Sequence, residues 1–322
     1  MQQAVPPMSV AANNLVRGVE VWRPAGDELA LSHGAYGQLG HVCHGRVGRR
    51  AAKGEGVVGG AWASGSPVLR TADRFGHEEF PPLPVGAAVA IPAMCAGRTA
   101  AQEECRGVVT LLCEGADDRQ GAVEVWRPND RSELGLSESW YANLERFGLI
   151  SGFVKFPRRA GLPGKVWNDR FPRVMGALGE SADFVRVAGA KADGISTAIG
   201  IPFMRTAREI EAVLLLLSAS KSPLARAMEV WAPEPKTETL KVVSADYGPY
   251  VDLAPLSRRR RVRAGEGLAG RVFQDRSPWV TSDLLGVEFP LGDKLAEYGF
   301  EWGVGLPVFV GADLFAVVTL LQ

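Results

Sequence analysis

Hydrophobic positions in this chain come in short runs that recur in a fixed order. The string VEVWRP stands at Val19 to Pro24 and again at Val123 to Pro128, and MEVWAP follows at Met228 to Pro233, offsets of 104 and 105 residues. A glycine block keeps step: GEGVVGGAW at Gly54 to Trp62, AGLPGKVW at Ala160 to Trp167 and GEGLAGRVF at Gly265 to Phe273. A third block, AIP at Ala90 to Pro92, GIP at Gly200 to Pro202 and GLP at Gly305 to Pro307, leads each time into a closing apolar run, GVVTLLC, EAVLLLL or FAVVTLL. Three blocks in one order, three times over, define a tandem repeat, and that period decides the architecture before any residue is read singly.

Every copy predicts the same elements. The Val- and Trp-rich opening, stopped by proline, is a strand. A second strand follows around Leu29 to Leu31, Leu134 to Leu136 and Leu240 to Val243. A polar, basic strand or loop then meets the glycine block, where two glycines permit a sharp turn into a short helix. A hairpin of two apolar strands ends the copy. In copies two and three, apolar residues at helical spacing predict a further helix before that hairpin, at about Ser181 to Ala192 and Gly292 to Tyr298. Copy one has FGHEEFPPLPVGA there, and Pro81, Pro82 and Pro84 disfavour a helix, so this copy is reduced.

The closing strands are apolar on consecutive residues, Val213 to Leu217 and Val317, Val318, Leu320, Leu321, the mark of a strand covered on both faces. The linkers EGADDRQGA and SASKSPLARA are too short to supply a packed covering helix. Exposing one face would forfeit roughly 1.5 to 3 kcal/mol per large side chain. The cover must therefore come from neighbouring repeats, a second copy of the chain or another partner.

Composition adds limits. At 322 residues the chain exceeds one core, and with 46% hydrophobic and 22% charged residues it belongs among globular proteins. Lys plus Arg equals Asp plus Glu, 36 against 36, so no net field draws it to nucleic acid or anionic lipid. Its apolar runs, such as Ala212 to Leu217, are far shorter than the roughly 20 residues of a membrane span. Residues 1–18 carry one charge, Arg17, and no continuous apolar core, which reads as a loose tail. All four cysteines lie in copy one, so the fold does without disulfides, and a soluble protein of the cytoplasm or a reducing organelle interior is expected.

The segments GEGLAGRVFQDRSPWVTSD (Gly265 to Asp283) and GEGVVGGAWASGSPVLRTAD (Gly54 to Asp73), followed by the closing hairpin, resemble the glycine–helix–proline–strand segment of the GAF domain family. Copy two departs from it, with Ala177 and Leu178 near where an Asp is expected and no glutamate in its glycine turn. The resemblance implies an α+β fold of three tandem GAF-like domains, each a mainly antiparallel sheet with short helices, over 19–114, 121–218 and 226–322 after a tail of 1–18. It leaves the ligand and any cofactor open, since the family binds many unrelated molecules. By the same resemblance, Phe184, Ala188 and Ile195 in copy two, and Trp279, Tyr298 and Trp302 in copy three, line a space between sheet and helix, where a filled core is the competing reading.

Other candidates weigh against simpler explanations. Trp22, Trp126 and Trp231 recur at one strand position, where Glu and Trp face one side and the valines the other, and they suit packing or an inter-repeat surface. Basic residues precede each glycine turn: Arg46, Arg49, Arg50 and Lys53; Lys155, Arg158 and Arg159; Arg258, Arg259, Arg260, Arg261 and Arg263. They suggest a shared surface that suits an acidic partner or a solvated edge; nucleic acid is not expected, because no aromatic interleaves RRRRVR, Arg258 to Arg263. None of the glycine turns matches the phosphate-loop spacing with its Lys and Ser/Thr. His41, Cys43 and His44 invite a metal, but no second close pair completes a tetrahedral site. Cys95 and Cys105 sit at the base of one hairpin, and no triad or acid–base pair accompanies them. The expected function is accordingly a non-catalytic regulatory or docking scaffold acting through protein partners or self-association, with small-molecule sensing in copy two or three as the alternative.

Overall fold

A computed structural model describes residues 14–37, 46–75, 85–97, 103–116, 118–284 and 291–322. Repeat 1 comprises β1 (Val16–Ala25), β2 (Glu28–Ala35), β3 (Arg50–Ala52), α1 (Gly56–Ser64), β4 (Val68–Thr71), β5 (Val85–Ala96) and β6 (Glu103–Glu114). Repeat 2 comprises β7 (Gly121–Pro128), β8 (Glu133–Ala142), α2 (Glu145–Phe153), β9 (Lys155–Pro157), α3 (Gly161–Asp169), β10 (Arg173–Met175), α4 (Val187–Ala192), β11 (Ile195–Met204) and β12 (Ile210–Ala219). Repeat 3 comprises β13 (Ala227–Glu234), β14 (Thr239–Asp246), α5 (Leu253–Arg259), β15 (Val262–Arg263), α6 (Gly267–Asp275), β16 (Trp279–Thr281), α7 (Gly292–Glu297), β17 (Gly303–Val310) and β18 (Asp313–Leu321). Each repeat is one six-stranded antiparallel sheet; the first runs β3-β2-β1-β6-β5-β4, and the other two repeat that order. The α+β class and the three tandem sheets are those expected.

The glycine block recurs for two reasons of backbone geometry. Gly56, Gly161 and Gly267 open their helices at φ 58°, a left-handed conformation that costs glycine nothing. One turn later, a Cβ on Gly59, Gly164 or Gly270 would lie 2.0, 2.2 or 2.2 Å from the carbonyl oxygen of Ala52, Pro157 or Arg263, so only glycine lets the helix lie this close to the preceding strand. In repeats 1 and 3 a glutamate braces the turn: Glu55 and Glu266 accept the N–H of Ala52 and Arg263 at 3.0 and 2.9 Å.

Alternation along the closing strands explains their unbroken apolar runs. In β12, Val213, Leu215 and Leu217 face the helices of their own repeat, while Leu214 and Leu216 face a core shared with both other repeats. That shared core takes Val19 and Val21, Val123 and Val125, and Val230 from the three opening strands. Of the three covers the sequence allows, the neighbouring repeats are the one in place.

The repeats pack head to tail and the arrangement closes. Strand β4 lies against β8, β10 against β14, and β16 against β2, so the edge of each sheet meets the next repeat and the third returns to the first. A heterologous contact that closes in this way generates a ring. Pro92, Pro202 and Pro307 of the third sequence block line one narrow central space of about 30 Å³, which places them around a pseudo-threefold axis. The arginine of VEVWR serves the ring: Arg127 reaches Ser66 Oγ of repeat 1 at 2.9 Å, and Arg23 reaches the carbonyl of Pro278 of repeat 3 at 3.1 Å. Ala232 stands at this place in repeat 3, and there Phe171 packs on Phe315 with ring centroids 5.8 Å apart.

Two expectations are corrected. The basic strand before the glycine block is in place as β9 and β15, but in repeats 2 and 3 a helix that was not expected, α2 or α5, precedes it, because Leu144 and Phe147, and Leu253, anchor one face into the outer core. The helix predicted at Ser181 to Ala192 begins at Val187; before it Phe184 and Val187 donate to residues three back, Ser181 and Phe184, which gives successive turns. The proline-rich segment of copy one and the tail to residue 13 lie outside the described residues.

Shared packing makes the ring one cooperative unit. Leu214→Ala, on the inner face of repeat 2, is expected to cost about 2–5 kcal/mol, and tryptophan fluorescence and circular dichroism in denaturant should shift together as one transition. A separate transition for one repeat would contradict a common core.

Candidate functional site

Between each sheet and its helices lies a buried carboxylate. Glu20, Glu124 and Glu229, from the VEVW or MEVW strands, are 0, 0 and 3% exposed. Glu and Trp stand two apart on an alternating strand and so lie together under the helices, and opposite the step from valine to tryptophan the second strand carries one extra residue, Ser32, Ser137 or Val243. The indole N–H of Trp22, Trp126 and Trp231 donates to that glutamate at 3.2, 3.0 and 3.1 Å. A tyrosine hydroxyl at the end of the second strand donates as well: Tyr36 at 2.9, Tyr141 at 2.9 and Tyr247 at 2.5 Å.

The remaining partners differ between repeats. In repeat 1, Arg46 Nε donates to Glu20 Oε1 at 2.7 Å. In repeat 2, Arg186 forms a two-point pair with Glu124 at 2.5 and 3.0 Å, and its guanidinium also meets Ser151 Oγ. Four aromatic rings surround it, those of Phe147, Phe184, Trp126 and Phe156, at 4.5 to 5.8 Å from the guanidinium carbon. In repeat 3, Glu229 takes hydroxyl donors instead, Ser257 at 3.0 Å and Thr319 at 2.8 Å. Among the described residues no Lys, Arg or His pairs with it. Beside it, about 20 Å³ remains in which the centre of a water-sized group can lie, bounded by Glu229, Trp231, Tyr247, Ser257, Arg260 and Leu291, among others.

Burial, and then the charge of the adjoining glutamate, push the phenols of Tyr36 and Tyr247 far above their ordinary range, and Tyr141 follows with the same two leading causes. Burial likewise raises the described thiols, Cys105 to about 11 and Cys113 to about 12, and that of Cys95 upward.

The residues singled out in the sequence fall in several places. Phe184 and Ile195 are buried in the outer core of repeat 2, with Phe184 against Arg186. Ala188 is on the exposed side of α4. In repeat 3 the three aromatics part: Trp279 stacks on Arg23 and His33 of repeat 1, Tyr298 donates to Asp252 at 2.6 Å, and Trp302 enters the shared central core. Trp22, Trp126 and Trp231 are buried in the carboxylate networks. Arg258 and Arg259 are exposed at the end of α5, Arg261 pairs with Glu234 at 2.5 Å, and Arg260 lines the repeat 3 cavity. His41, Cys43 and His44 lie outside the described residues. The glutamates and tyrosines themselves were missed, although a tyrosine, Tyr36, Tyr141 or Tyr247, follows the glutamate 16, 17 or 18 residues on in the three repeats, which was a legible signal.

A second concavity, a cleft of about 840 Å³, runs between repeats 2 and 3, with Thr197, Lys221, Arg226, Asp246 and Tyr250 among its walls. Arg226 bonds from this cleft to the carbonyls of Tyr298 and Gly299, directly after α7.

The three sheets fit three tandem GAF-like repeats. Similar solved structures include a GAF domain of A. aeolicus, in an inactive state (16% identity, 31% of this chain and 58% of that one, TM-score 0.24), and a GAF domain/HD domain protein of Geobacter sulfurreducens (12%, 32% and 66%, 0.27). A free methionine-R-sulfoxide reductase of Neisseria meningitidis, solved with its substrate, is similar at 18% identity over 33% of this chain and 55% of that one, with TM-score 0.22. The matched part spans less than two thirds of the A. aeolicus and Neisseria chains and about two thirds of the Geobacter chain. No protein-family model matches the chain, and no curated protein matches it either. Among the described residues no helix is long and apolar enough to cross a membrane.

The network sets the response to alkali. Tyrosines whose folded values lie above the unfolded value of about 10 keep protons that the unfolded chain releases, so their contribution is full below about pH 10 and is lost as pH rises beyond it. Absorbance titration should show at least three of the five tyrosines ionising only when the chain unfolds. Smooth ionisation of all five in the folded protein would contradict the network.

Proposed function

We propose that this chain is a non-catalytic small-molecule sensor in which repeats 1 and 2 are scaffold and repeat 3 is the binding repeat. The observation that carries this reading is the difference among three equivalent networks: two are filled by an arginine of their own repeat, and the third adjoins a cavity. The small cavity between sheet and helix, with convergent polar groups and an apolar wall of Leu268, Leu291 and Leu295, offers room beside Glu229 for the head group of a small molecule. The raised thiols of Cys95, Cys105 and Cys113 hold little thiolate at neutral pH, which weighs against thiol catalysis by them. Because neighbouring repeats cover the inner sheet faces, apolar sheet surface no longer argues for an external partner. Helix α7, with Leu291 just before it and Leu295 within it at the cavity, and Tyr298 and Gly299 just after it on Arg226, gives a route by which an occupant reaches the cleft between repeats 2 and 3.

Docking keeps one specific support, an exposed apolar stripe on α2, where Leu149 and Phe153 are 71 and 87% exposed. If that stripe binds a partner protein, Leu149→Glu with Phe153→Glu should remove a chain that otherwise co-elutes, with the fold intact by circular dichroism.

Native mass spectrometry of protein from cells that make it naturally tests the sensor reading. A small molecule at fixed stoichiometry is expected, and Leu291→Phe, which fills the cavity, should lose it while remaining folded. Wild-type protein carrying no small molecule, or a Leu291→Phe variant carrying it undiminished, would contradict the reading.

A further inference from the structure

Equivalent positions in the three repeats allow a comparison of charge. The guanidinium that neutralises each buried glutamate comes from one of two places. Repeat 1 supplies it from Arg46, between the second and third strands; repeat 2 has Ser151 at that offset and supplies Arg186 instead, immediately before α4. Repeat 3 has neither, with Ser257 at the first place and Leu291 at the second, immediately before α7. Both of those residues line the cavity beside Glu229. The cavity therefore opens where the two sibling arginines reach in.

A carboxylate removed from water is costly unless it is paired. Both sibling pairs are almost wholly buried, with side chains 6 and 0% exposed for Arg46 and Glu20, and 1 and 0% for Arg186 and Glu124. Glu229 is as buried as they are, and its four donors, Trp231, Tyr247, Ser257 and Thr319, are all neutral. The hydroxyls of Tyr247 and Ser257 have lone pairs to spare, so a positive head group between them would find acceptors besides the carboxylate.

We propose that this cavity binds the positively charged head of a small organic cation, an ammonium or guanidinium group, which takes at Glu229 the place that Arg186 takes at Glu124. The assignment rests on the sensor reading above and adds the charge of its ligand. Room for a water-sized group suits a primary ammonium directly. Arg260 also lines the cavity without pairing with Glu229, so the chain's own guanidinium is the rival occupant.

The test uses the full chain labelled with nitrogen-15 and follows the indole N–H resonance of Trp231, which is bonded to Glu229. Methylammonium chloride and methylguanidinium chloride are titrated at constant ionic strength, with N-methylurea as the neutral isostere. Saturable shifts with the cations and none with N-methylurea are expected. Glu229→Gln should weaken cation binding by about tenfold or more, and Leu291→Arg, which restores an internal guanidinium, should abolish it in a protein with unchanged circular dichroism. Arg260→Met, which removes the rival guanidinium from the cavity wall, should bind the cations at least as tightly as the wild-type chain. The proposal is overturned by equal binding of N-methylurea, by cation binding that survives Glu229→Gln, by no saturable shift up to tens of millimolar, or by cation binding that appears only in Arg260→Met. A neutral or anionic metabolite lost on Leu291→Phe would sink the charge assignment alone and leave the sensor reading standing.

Discussion

The structure depends on one constraint: the closing strand at the centre of each repeat is apolar on nearly every consecutive residue, so both faces of each sheet must be kept from water. Helices of the repeat cover one face, and nothing within a repeat covers the other. Three sheets arranged head to tail around a pseudo-threefold axis solve this with no further chain, because each inner face packs on the other two. The short linkers follow from this, since consecutive repeats are held side by side. So do the prolines of AIP, GIP and GLP, which meet at the centre where strand edges need not pair.

With the inner faces fixed, variation is left to the outer layer. There the three repeats keep a common frame of glutamate, tryptophan and tyrosine, and each completes it differently. An ion pair buried in this way is weak evidence for stability, because desolvation offsets much of the Coulomb gain, yet removing one partner costs about 3–5 kcal/mol. That asymmetry holds Arg46 and Arg186 in place once a glutamate is buried. Repeat 3 carries the same glutamate with neutral donors only, which sets it apart as the repeat able to take its counter-charge from outside.

Much of the fold was legible because it rests on local chemistry. The repeat offset, the strand alternation, and the glycines that allow a left-handed turn and a close helix all show in the letters. The site was harder to see. The glutamate of VEVW sits in an alternating strand as if it faced solvent, and only the helices that cover it, α2 and α5 among them, reveal it as buried. Arg46 lies in a basic stretch that reads as a solvated edge, and Arg186 lies in a segment that reads as helix. Their shared role depends on contacts across 26 and 62 residues that no local pattern records. Trp279 and Trp302 misled for the opposite reason: aromatics near a predicted pocket instead serve the contact with repeat 1 and the shared core.

The most direct measurement is a crystal structure of the protein purified under gentle conditions from cells that make it naturally. The account predicts a ring of three sheets with density for a positively charged head group within hydrogen-bonding distance of Glu229, bounded by Ser257 and Leu291. Density showing the Arg260 guanidinium closed onto Glu229, or an anionic group in the cavity, would contradict it.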